Sequence, residues 1–136
     1  MSIAGTQSRQ RGVNAMHARL RLAILVLGAF FTLQGLRWLV DPAGSAAALG
    51  MPLLDGLARS TQIGDLSSFF LVAGATMMLG SRPGREPLLY VPAALIGGAA
   101  VTRTLAWALH GADFALLFIT VEVVVAVTLL AGARSS

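Results

Sequence analysis

The amino-acid sequence predicts an all-α membrane protein: a four-transmembrane-helix bundle, antiparallel and up-down, with a short interfacial helix between helices 1 and 2. Three observations predict it. The chain is 56% hydrophobic and 12% charged, whereas about a quarter of an ordinary soluble domain is charged, so too little polar surface exists to cover a water-facing exterior. Four stretches approach the roughly 20 apolar residues that a helix needs to cross the hydrocarbon core. The arginines gather at alternate ends of those stretches, as they do in an inserted bundle. A length of 136 residues suits one domain.

Residues 1–19 read as a flexible cytoplasmic N-terminal extension, 20–133 as the transmembrane domain and 134–136 as a cytoplasmic tail. Met16 opens the compact "MHARLRLAILVL", so the residues before it read either as a disordered extension or as lying upstream of the natural start. The first span is "LAILVLGAFFTLQGLRWLV", Leu22–Val40. Its apolar run is too long for a cleaved signal peptide, and no A-x-A-like site closes it. The connection "DPAGSAAALGMPLLDGLARS" follows. Asp41 reads as an N-cap, Pro42 as the first helical residue of a short helix through Leu49, and Gly50 with Pro52 as its stop.

The second span, "QIGDLSSFFLVAGATMMLG" (Gln62–Gly80), is the least apolar of the four. The third is "PLLYVPAALIGGAAVTRTLAWALH", Pro87–His110. Pro87 suits a first helical turn, Pro92 one turn deeper predicts a kink, and Gly111 predicts a left-handed C-cap. The fourth is "DFALLFITVEVVVAVTLLAG", Asp113–Gly132, with Asp113 as its expected N-cap.

Orientation follows from the arginines. Arg9, Arg11, Arg19 and Arg21 precede the first span, Arg82 and Arg85 separate the second from the third, and Arg134 follows the fourth. The other side holds Arg59 and, at a helix end, Arg37. A bacterial inner membrane with both termini cytoplasmic is the expectation. The net charge of +4 is thereby a topology signal; no basic, aromatic-interleaved surface points to nucleic acid. The chain has no cysteine and two histidines, which excludes disulfides and thiolate sites and argues against a multi-histidine centre or a bis-histidine haem. No cofactor is expected.

Helical rise places the polar residues at similar depth. Asp65 is expected roughly 5–7 Å from the outer end of its helix, Arg103 roughly 10 Å from the outer end of its own, and Glu122 about 13 Å from Asp113. Gln34 and Arg37 fall in the outer two turns of the first helix. All four helices thus contribute polar groups to the outer half, and the inner half is expected to hold essentially none. An ionisable side chain near the bilayer centre costs about 2.5–3.5 kcal/mol on insertion scales, so it normally faces the bundle interior and pairs. Glu122 is the first expected partner of Arg103 and Asp65 the second, with Arg37 balancing the remaining carboxylate. Ala99 or Ala100, Arg103, Trp107 and His110 share a helix face. Gly97, Gly98, Ala99 and Ala100 would admit a neighbouring backbone.

Each residue also has a structural reading. Arg103–Glu122 can lock helices three and four together. Asp65 can be a helix-start acid, Arg37 a snorkelling end residue, and Gln34 an interhelical hydrogen-bonding amide. Trp38, Trp107 and Tyr90 suit an interfacial aromatic belt.

The stretch "GGAAVTRTLAWALHG", followed by an acid in the middle of "FITVEVVVAVTLL", resembles a family of small bacterial four-helix integral membrane proteins of unknown function, distantly DoxX-like. The resemblance runs from about Leu22 to Leu130 and includes "GLRWLVDP…LGMP"; Arg103, Gly111 and Glu122 match best. In the second helix, where family members tend to carry an arginine and a glycine pair, this chain has "QIGDLSSFF". The resemblance implies the four-helix fold, and by looser analogy with DoxX relatives a place near quinone-linked assemblies.

Three functions compete. The first is a non-enzymatic accessory subunit or binder of a small amphipathic ligand at the outer polar site, suggested by polar residues without a nucleophile–base–oxyanion arrangement. The second is a proton-coupled small-molecule carrier working as a dimer, with Glu122 titrating beside Arg103. The third is a membrane enzyme using Glu122 or Asp65 as general base on a lipid or quinone. The expected partners are the lipid bilayer, a lipid, quinone or small amphipathic ligand, and a homodimer or larger membrane complex.

Overall fold

Nothing in the sequence interrupts the first helix until Asp41-Pro42, and in the computed structural model, which describes residues 3–135 and the side chains of 14–135, α1 runs unbroken over Ile3–Val40. The expected boundary at residue 19 is therefore one of composition, with no break in the backbone. Pro42 cannot continue α1 because it lacks an N–H. Asp41 turns the chain, its carboxylate accepting the Gly44 N–H at 3.0 Å, and Pro42 opens α2 (Pro42–Ala48). Gly50, at φ 73, ends it.

α3 (Gly56–Gly80) begins six residues before the expected Gln62. The polar "LARST" stretch is helical because Arg59 spans back to Asp55 Oδ1 at 2.6 Å and to the Leu54 carbonyl at 2.7 Å. The buried Gln62 amide fastens the preceding loop: its Oε1 accepts from the Leu54 N–H at 3.0 Å, and its Nε2 donates to the Pro52 carbonyl at 3.1 Å.

A 3-10 turn at Glu86–Leu89 holds Pro87 and leads into α4 (Tyr90–His110). Pro92 is the third residue of α4 and lies one turn beyond Pro87, as expected. Gly111 adopts the left-handed cap at φ 65, as expected. α5 (Leu116–Ala133) starts three residues after Asp113, which makes no cap. Phe114, its carbonyl taken by the Leu116 N–H at 2.8 Å and its ring set against Trp107, belongs to the connection instead.

The four long helices are each apolar and long enough to cross a membrane, and their large exposed hydrophobic side chains are leucine, valine, phenylalanine and methionine, with Tyr90 and Trp107 at the two ends of α4. Threonines on them satisfy their own hydroxyls: Thr32, Thr104, Thr120 and Thr128 each donate to the carbonyl one turn back at 2.8–2.9 Å.

The helices pack as two pairs, α1 along α3 and α4 along α5. In the first pair the backbones nearly touch. A Cβ built on Gly74 would lie 2.6 Å from the Thr32 nitrogen and 2.7 Å from the Gly28 carbonyl oxygen, so only glycine fits. The pairs meet at the 3-10 end, where Ile24, Met77, Leu89, Ile96 and Leu129 form the core. Toward the α2 end the core gives way to a cleft.

Candidate functional site

The cleft has a volume of about 380 Å³ and takes side chains from all five helices. Phe30, Phe31, Phe69, Phe70 and Phe118 form its apolar walls, Ile96 lies toward the core, and Ala48 and Leu49 of α2 cover its top. Gln34, Arg103 and Glu122 are its polar lining. It forms because small residues face it from α4 (Ala99) while phenylalanines hold α1 and α3 away from α5. The Phe31–Phe70 and Phe69–Phe70 rings are in contact, with centroids 5.5 and 5.4 Å apart.

Arg103 donates from Nε to Glu122 Oε1 at 2.8 Å, the pair expected from depth and reach. Its guanidinium lies 4.9 Å from the Phe118 ring centroid, a cation–π position. Among the described residues no other acceptor meets the guanidinium. The carboxylate is lopsided in the same sense: Glu122 Oε2 is buried and has no hydrogen-bond partner. A buried acceptor left unpaired costs about 1–3 kcal/mol, more when charged, so the pair presents unfilled donors and one unfilled acceptor beside an apolar cavity.

The other expected members lie elsewhere. Asp65 is not an acceptor for Arg103: it sits on the exposed face of α3, beyond Leu66, which borders both the cleft and a separate groove containing Asp65. Because α3 starts at Gly56, Asp65 lies roughly 13 Å from the helix start, which also removes its reading as a helix-start acid. Arg37 pairs with Asp41 one turn on, at 3.4 Å, and does not balance the cleft. Trp107 packs on Phe114, 5.1 Å between centroids, outside the cleft. Trp38, expected in an interfacial belt, is 1% exposed because α2 folds back over that end of α1.

A second ion pair lies at the end of the bundle opposite the cleft, just outside the expected first and third spans. Arg21 Nη2 donates to Glu86 Oε1 at 2.8 Å, joining α1 to the 3-10 turn, and Glu86 is 4% exposed. As a topology charge Arg21 points only to a membrane surface, and Glu86 stands in the short link before the third span. The signal that could have paired them is their opposite charge at one end of adjacent spans. Buried Gln62 was likewise missed, since it stood at the edge of the expected span.

Comparison of the chain with protein-family models, with curated proteins and with solved structures finds no match.

Proposed function

We propose that this chain is a non-enzymatic integral membrane protein of a bacterial cytoplasmic membrane, with both termini cytoplasmic, that holds a small amphipathic molecule in its cleft, as a binder or as an accessory subunit presenting that molecule to a complex. Arginine distribution supports the orientation, under which the cleft lies in the outer half. The observation that carries the binding role is the buried Glu122 Oε2 without a partner, next to a guanidinium bonded through Nε alone, on a phenylalanine-lined cavity. Ligand sites combine that way: mostly apolar walls with a few convergent polar groups, in volumes from about 300 Å³ upward. The kinship with DoxX-like proteins is part of the same proposal and rests on the Arg103–Gly111–Glu122 pattern.

Mass spectrometry of solvent extracts from purified protein tests it. The wild type is expected to yield a stoichiometric lipid-like or quinone-like molecule, and folded Arg103→Met/Glu122→Leu to yield none. Equal extracts from both proteins overturn the binding role.

A second reading, a proton-coupled carrier, is favoured by the position of a titratable carboxylate at the cleft. It predicts that Glu122→Gln abolishes pH-driven uptake in vesicles, whereas a binder shows no uptake in either form.

A further inference from the structure

Asp65 is the odd charge of the bundle. Four of the six acids have an arginine partner: Asp41, Asp55, Glu86 and Glu122. Asp113 lies in the α4–α5 connection at the bundle's end. Asp65 alone is unpaired within a span, nine residues into α3, with no cation within 4 Å among the described residues. A lone carboxylate facing lipid costs several kcal/mol on insertion scales unless something neutralises it.

Its surroundings are shaped for a helix. Ala58, Thr61, Asp65, Ser68, Val72 and Ala75 are all exposed and recur at spacings of three and four, the seam along which two helices pack at a shallow angle. Nearly all are small, and a Cβ built on the adjacent Gly64 meets nothing within 4 Å, so a neighbouring backbone can come close. At its α2 end the seam opens into a groove of about 790 Å³ walled by Leu54, Leu57, Ala58 and Leu66, with Asp65 in its lining.

Charge decides the occupant. A second copy of this chain, set against the seam about a two-fold axis, brings Asp65 opposite Asp65. The arginines nearest that depth are each paired with an acid of their own chain, Arg103 with Glu122, Arg37 with Asp41 and Arg59 with Asp55, so a second copy brings no cation without taking one from its partner. Arg82 and Arg85 lie beyond the far end of α3, roughly 25 Å away along its axis. We infer that the Ala58–Ala75 seam docks a transmembrane helix of a different polypeptide that carries a lysine or arginine level with Asp65. This builds on the membrane reading and on the accessory-subunit role, and is independent of the cleft.

The test uses the chain reconstituted in phosphatidylcholine vesicles with synthetic leucine–alanine helices of about 23 residues. One carries a single lysine level with Asp65, one carries it in the opposite half, and one carries none. Association is read by energy transfer. The level-lysine helix is expected to bind roughly 10- to 100-fold more tightly than the other two, the factor that corresponds to relieving part or all of an unpaired membrane charge. Asp65→Asn removes that preference, Gly64→Leu weakens binding of all three helices, and Arg103→Met/Glu122→Leu leaves the preference intact even if the cleft binds nothing. Equal binding of the three helices to the unaltered chain overturns the inference. So does efficient oxidative cross-linking of Ser68→Cys chains to each other, since the sequence has no other cysteine and the bond would assign the seam to a second copy.

Discussion

At the scale of single residues, the bundle treats charge as something to be closed locally. Arg103 and Glu122 neutralise each other through one hydrogen bond, and their removal is expected to be strongly non-additive. Glu122→Leu alone strands a guanidinium and should cost about 3–5 kcal/mol, while Arg103→Met/Glu122→Leu, which strands nothing, should fall within about 1 kcal/mol of wild type. Unfolding in mixed micelles, monitored by circular dichroism, measures both. Glu86→Leu is expected to destabilise less, because the half-exposed Arg21 can turn to water, and to leave what co-purifies unaltered, because that pair lies at the opposite end from the cleft. The Arg103–Glu122 contact was legible in the sequence because both residues sit deep in apolar helices at depths within an arginine's reach. The partners of Arg37 and Asp65 were not. Arg37 had a nearer acid one turn away in Asp41, which depth arguments overlook, and Asp65 points away from the interior, which depth alone does not reveal.

At the scale of elements, glycine positions separate into those that set helix distance and those that do not. Gly74→Val should push α1 and α3 apart and cost about 1–3 kcal/mol or more, as overpacking does. Gly98→Ala meets nothing within 4 Å and should be neutral or stabilising by up to about 1 kcal/mol through helix propensity. Thermal unfolding of the two variants side by side checks the contrast. Hydropathy made the existence and order of the four long helices legible, together with the Asp41–Pro42 break and the Gly111 cap. It misplaced the starts of α3 and α5. The α3 start depends on the Gln62 and Arg59 contacts to the loop, and the α5 start on the Trp107–Phe114 packing. Those are tertiary interactions between residues that a local pattern treats as separate.

At the scale of the whole molecule, the two helix pairs join at one end and part at the other, so the packed core and the cleft occupy different halves. Composition made the membrane-embedded class legible, but not this division, because the cleft depends on how side chains of separate helices meet. The proposed orientation is checked by membrane-impermeant thiol labelling of intact cells. Ser60→Cys is expected to react from outside and Ser135→Cys only after lysis; the reverse pattern would invert the topology.

The near-contact of backbones between Gly28 and Gly74 also has a consequence for biosynthesis. The α1 notch emerges from the ribosome well before the segment that fills it, with α2 and its loop still to be made. α1 must therefore wait in the bilayer with a bare peptide ridge exposed to acyl chains, whereas α4 and α5 can zip together as a hairpin as soon as both exist. A nascent chain arrested before Gly74 should be the species most readily captured by membrane chaperones.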